Sequence, residues 1–75
     1  MTFDTVKTII SSKFKIPETA IFEDSNIFND LKFDSLDAVE LIIEIEEHYQ
    51  IDMLDNEAEN VKTIKEIVDI INSKI

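Results

Sequence analysis

The sequence contains no cysteine, glycine, arginine or tryptophan, and it has one proline and one histidine in 75 residues. Without cysteine there is no disulfide, no thiolate nucleophile and no cysteine-ligated metal. Without glycine there is no glycine-rich phosphate cradle and no dinucleotide-binding turn. No apolar run approaches the roughly 18 residues of a membrane span. The opening MTFDTVK lacks a secretory signal pattern. Net charge is −10, so nucleic acid, which needs a basic footprint, is a poor partner. What is present is 44% hydrophobic residues, enough for one small core and one domain over 1–75. These features predict a soluble, cytoplasmic, acidic, all-α domain.

The charge is concentrated. Seven lysines and seven carboxylates lie outside residues 34–59 and cancel; ten carboxylates and no lysine lie inside. Such a run is either a solvated face that keeps a small protein in solution or a docking surface that steers basic partners.

Apolar periodicity places the helices. Phe3, Val6, Ile9, Ile10 and Phe14 share one face of a first helix, with Thr2 a candidate cap and Pro17 beyond its end. Residues 15–34 form a long connection whose Ile16, Ile21, Phe22, Ile27, Phe28 and Leu31 predict a loop pinned on the core, with a short turn at 26–31. The clearest helix is 35–49, capped by Asp34 or Ser35. Asp37, Glu40, Glu44 and Glu47 fall on one stripe of it. Leu41, Ile42, Ile45 and Tyr49 fall on the opposite side, and Leu36, Val39 and Ile43 lie between, beside the acidic stripe. An apolar ridge beside an acidic one suits a partner with a basic rim and an apolar centre. A short helix over 55–60 capped by Asp55 follows, anchored by Met53, Leu54, Ala58 and Val61. A last helix over 64–73 is capped by Thr63, with Glu66 at the capping-box spacing. The sum is a small four-helix bundle of three main helices and one short one.

Catalytic constellations are missing. Ser35 and His48 sit thirteen residues apart on one helix, about 20 Å, against the roughly 3 Å that proton transfer requires. No stretch has the ligand spacing of a calcium loop, and no dedicated metal site is indicated. Ser35 by itself has two readings. A serine before an apolar-periodic run can simply cap the helix. It can also carry a phosphate ester, which at a helix N-terminus meets unpaired N–H groups and the positive end of the dipole.

The string Asp34-Ser35-Leu36-Asp37-Ala38-Val39-Glu40-Leu41, continuing to Glu46-Glu47, resembles the signature of acyl carrier proteins. Flanking matches extend the resemblance along the chain: Ile27-Phe28-Asn29-Asp30-Leu31 upstream, and Asp55-Asn56-Glu57-Ala58-Glu59-Asn60-Val61 and Thr63-Ile64 downstream. The resemblance implies that Ser35 accepts 4′-phosphopantetheine from coenzyme A through a phosphopantetheinyl transferase. The arm's thiol then holds acyl groups as thioesters, and the protein catalyses nothing. It implies delivery, as a monomer, to fatty acid synthesis enzymes with basic docking patches. Asp34, Asp37, Glu40, Glu44 and Glu47 would meet those patches, and Leu36, Val39 and Ile43 would make the apolar contacts. It further implies an acyl pocket among Leu41, Ile42, Ile45, Tyr49, Ala58, Val61 and Ile67.

Two positions depart from the family pattern. Lys32 stands where the family usually has glycine, followed by the bulky Phe33, and Leu54 stands where it often has proline. Lys32 therefore predicts either a residue held at positive φ or a different turn. The alternatives are a specialised carrier for an aminoacyl, D-alanyl or polyketide cargo, or an unmodified acidic adaptor that only binds proteins.

Overall fold

A computed structural model describes residues 2–75, which form four helices: α1 (Thr2–Phe14), α2 (Ser35–Tyr49), α3 (Asp55–Asn60) and α4 (Ile64–Lys74). A single 3₁₀ turn, Glu18–Ala20, interrupts the connection from α1 to α2. Among the described residues there is no strand, only an isolated antiparallel bridge between Asn26 and Thr63.

The core is drawn from every part of the chain. Val6 and Ile10 of α1, Leu41 and Ile45 of α2, and Ile64, Ile67 and Ile71 of α4 are fully buried. Ile21, Ile27 and Phe33 bring the long connection into that core, and Met53 and Val61 bring the two ends of α3. The pinned loop of the sequence reading is thus present, with two exceptions. Phe22 and Phe28 point outward, 59% and 40% exposed. Leu54, expected as an anchor of α3, is also exposed.

Four backbone and side-chain devices hold the connection. Asn26 Oδ1 accepts from the N–H groups of Phe28 and Asn29, both at 2.9 Å, which closes the turn expected at 26–31. Asp30 Oδ2 accepts from Asn26 N in return. Ile27 N donates to Lys62 O at 2.8 Å, Ile64 N to Ser25 O at 3.1 Å and Lys65 N to Glu23 O at 2.7 Å. These bonds stitch the loop to the start of α4. The buried Ser25 hydroxyl is satisfied by Phe22 N.

The ends of the helices correct two expected caps. Thr2 lies inside α1, and its hydroxyl donates to Asn72 Oδ1 on α4 at 2.6 Å instead of capping. Asp55 is the first residue of α3; Glu57 Oε1 accepts from Leu54 N and closes that end. At α4 the expected box is present: Thr63 Oγ1 accepts from Glu66 N, and Glu66 Oε1 accepts from Thr63 N.

With no glycine in the chain, three of the described residues occupy the left-handed region: Lys15 at φ 60°, Lys32 at φ 63° and Gln50 at φ 54°. Lys15 ends α1 with its N–H on Ser11 O, and Gln50 ends α2 with its N–H on Glu46 O. Lys32 follows no helix. Its positive φ just before α2 is the first of the two geometries its sequence position predicts.

Candidate functional site: the N-terminus of α2 and the cleft beside it

The approach to α2 is pinned to the core. Phe33 is buried, its ring lies 4.5 Å from that of Phe14, centroid to centroid, and its N–H donates to Ile27 O at 2.9 Å. Lys32 turns the chain so that Phe33 points inward while Asp34 and Ser35 point outward.

Of the two candidate caps, Asp34 takes the role. Its Oδ1 accepts from Asp37 N at 2.8 Å, and Asp37 Oδ2 accepts from Asp34 N at 3.2 Å. Ser35 is therefore the first helical residue, exposed, with no protein hydrogen bond to its hydroxyl. The N–H groups of Ser35 and Leu36 have no intrahelical acceptor, since the first turn of a helix has none to offer. Together with the dipole they favour an anion at this point. His48 lies in the last turn of the same helix, its ring edge-on to Tyr49 at 5.0 Å, so the structure places it at the opposite end from Ser35.

A cleft of about 500 Å³ opens beside Ser35, between α2 and the segment carrying α3. Ser35, Ala38, Val39, Ile42, Ile43 and Glu46 form its α2 wall. Met53, Asp55, Ala58 and Glu59 form the opposite wall, and Phe28 joins from the loop. Of the residues expected around an acyl chain, Ile42 and Ala58 line this cleft. Leu41, Ile45, Val61 and Ile67 lie in the closed core beneath, and Tyr49 packs half-buried against that core. Phe28, Ala38, Glu46, Met53, Asp55 and Glu59 line the cleft without being expected there from the sequence. Five of the α2 positions were available from periodicity alone, as the face three, four, seven, eight and eleven residues on from Ser35.

Two contacts hold the wall carrying α3. Met53 N donates to Glu46 Oε2 at 2.9 Å, and Lys74 Nζ meets Glu57 Oε1 at 3.1 Å. The Leu54 N–H, and then Lys74, hold the Glu57 carboxyl below the usual glutamate range.

The outer face of α2 carries the expected pairing of apolar and acidic groups. Leu36, Val39 and Ile43 are 62%, 54% and 46% exposed. Asp34 and Glu47 are exposed, and Asp37, Glu40 and Glu44 partly so. Lys13 of α1 reaches this face, 3.4 Å from Glu44 and 4.0 Å from Glu40. Among the described residues, no group of three or more histidine, aspartate or glutamate side chains is placed to hold a metal ion.

The sequence model of the family described as PP-binding, phosphopantetheine attachment site, matches residues 4–71. A protein named acyl carrier protein from Guillardia theta is 40% identical over 73 residues, 97% of this chain and 90% of that protein. Another of that name from Clostridium acetobutylicum is 42% identical, covering 97% of this chain and 95% of its own. A third, from a strain of Buchnera aphidicola, is 42% identical over 92% of this chain and 86% of its own. The chain belongs to the acyl carrier protein family. Acyl carrier proteins are carriers without catalytic activity of their own, and their cofactor is 4′-phosphopantetheine. No helix of this acyl carrier family member is long and apolar enough, among the described residues, to cross a membrane.

Proposed function

We propose that Ser35 is the attachment residue, and that the protein carries acyl intermediates of fatty acid synthesis as thioesters on the phosphopantetheine arm. The observation that carries this reading is the state of Ser35. Its hydroxyl is exposed and unbonded because Asp34 has taken the cap, and it stands at the mouth of a mostly apolar cleft. In the transfer, Ser35 Oγ forms the new bond to phosphorus and the phosphoanhydride of coenzyme A breaks. Adenosine 3′,5′-bisphosphate leaves, and the serine proton passes to a base of the transferase.

The arm's thiol then bears the cargo, and the cleft shelters its alkyl part. Each methylene removed from water is worth about 0.8 kcal/mol. Asp34, Asp37, Glu40, Glu44 and Glu47 attract partners with basic patches, and Leu36, Val39 and Ile43 form the short-range contact. This combination gives fast capture with modest affinity, as serial delivery requires. The protein acts as a cytoplasmic monomer.

A second reading, a carrier specialised for another cargo, is favoured by one feature: the cationic Lys32, held at φ 63°, three residues before Ser35. Loading by a fatty-acid malonyltransferase supports the first reading. Loading only by a dedicated adenylating enzyme supports the second.

The deciding experiment is incubation of the unmodified protein with coenzyme A and a broad-specificity transferase, followed by intact mass and fragment mapping. One phosphopantetheine on the fragment holding Ser35 is expected. A folded protein that gains nothing, beside a control that does, overturns the assignment.

A further inference from the structure

The α2 wall of the cleft is polar at both ends. Ser35 begins it, Ala38, Val39, Ile42 and Ile43 make its apolar middle, and Glu46 ends it. Eleven residues of helix separate the ends, about 16 Å. The next residue on this helix face, Tyr49, packs against the core and does not line the cleft.

Glu46 is not a free surface charge. It is half-buried, and its Oε2 accepts from the backbone N–H of Met53, which is itself buried and lines the opposite wall. The carboxylate is therefore held across the cleft at the point where the apolar run stops. An alkyl chain entering from the Ser35 end gains from each methylene it lays against Ala38 through Ile43. A methylene that reaches Glu46 must strip water from a carboxylate that one N–H only partly replaces, and that loss opposes any further gain.

We propose that Glu46 is a specificity-determining residue, the polar end wall that sets the longest acyl chain the cleft shelters. The proposal rests on the reading of this cleft as the acyl site.

The test uses the full chain loaded by a transferase from a series of straight-chain acyl-coenzyme A thioesters, butyryl to hexadecanoyl. Intact mass verifies loading, and the melting temperature of each form is compared with that of the form bearing the free thiol. In the wild type the melting temperature should rise with chain length and then level off. In Glu46→Leu the levelling point should move to chains longer by about two methylenes or more, because the new wall adds to the apolar run. Glu46→Gln keeps an acceptor for Met53 N–H and removes the charge, so it should shift the same point by less. A purely structural role would lower every member of the series together and leave the levelling point in place. That result, in either folded variant, overturns the proposal. Loading without any rise in the wild type overturns the cleft reading and the proposal with it. Failure to load overturns the assignment of Ser35 and everything that rests on it.

Discussion

Asp34 and Asp37 cap each other across Ser35, each carboxylate accepting the other residue's backbone N–H at 2.8 and 3.2 Å. The serine between them is thereby spared any part in holding the helix. Ser35→Ala should leave stability within about 0.5 kcal/mol of wild type while abolishing phosphopantetheine transfer. Asp34→Ala should cost about 1 kcal/mol. Urea unfolding of the two variants beside the wild type checks the contrast. A large loss in Ser35→Ala would show that its hydroxyl supports the fold.

Acid should weaken the fold through two particular carboxylates. Glu66 is held below the usual glutamate range by the N–H groups of Lys62 and then Thr63, and Glu57 by that of Leu54 and then Lys74. A carboxyl whose folded pKa lies below its unfolded one binds fewer protons folded than unfolded. Its contribution is present above the unfolded value and is lost as pH falls through the folded one. At neutral pH, Glu66→Gln and Glu57→Gln should therefore melt below the wild type. The gap should close as pH drops through and below the ordinary glutamate range. A gap that stays constant with pH would remove the ionised carboxylates from the account.

Lys32 offers a test of backbone strain. A residue with a Cβ in the left-handed region costs about 1–2 kcal/mol relative to glycine, and glycine loses about 0.5–1 kcal/mol back through its freer unfolded state. Lys32→Gly should thus stabilise the protein by about 0.5–1 kcal/mol, and Lys32→Val should destabilise it, since a β-branched residue tolerates positive φ least. Melting curves of both variants decide this, and a destabilised glycine variant would show that the lysine side chain has its own contacts.

The acidic face of α2 is partly screened from within, because Lys13 lies beside Glu40 and Glu44. Lys13→Gln should speed association with a basic-patched transferase at low salt, and Glu44→Lys should slow it by roughly threefold or more. Both effects should fade at high ionic strength. Neither variant should move stability by more than about 1 kcal/mol, because the pairs are exposed. Stopped-flow association rates over a salt series check this, and rates unchanged by Glu44→Lys would remove the docking role.

Local chemistry explains how much was legible beforehand. The bounds of α2 and the Thr63–Glu66 box follow from caps and periodicity that span only a few residues; α3 was legible in extent but not in its cap, since Glu57 and not Asp55 closes its start. The positive φ of Lys32 is one of the two geometries that follow from its standing where the family usually has glycine. The cleft is different. Its second wall is positioned by Glu46 on Met53 N and by Lys74 on Glu57, contacts between separate elements that no single-helix pattern encodes. For the same reason Leu41 and Ile45 could be assigned to the inward side of α2. Whether that side met a cavity or a closed core depended on how the rest of the chain packed against it.

The stitching of residues 23–27 to residues 62–65 divides the molecule into two mechanical parts. The chain leaves this seam after Ile27, runs through α2 and α3, and returns to it at Lys62. α1, the seam and α4 share a core that does not depend on α3, whose six residues include no fully buried side chain. The wall is anchored at its ends by the buried Met53 and Val61 and between them by two polar contacts, so α3 itself can give way while the seam keeps its amides paired. On the proposed reading of the cleft, release of a sheltered chain would then need only a sub-global opening, far cheaper than unfolding. In hydrogen exchange, the amides of Ile27, Ile64 and Lys65 should belong to the slow class and those of α3 to the fast one.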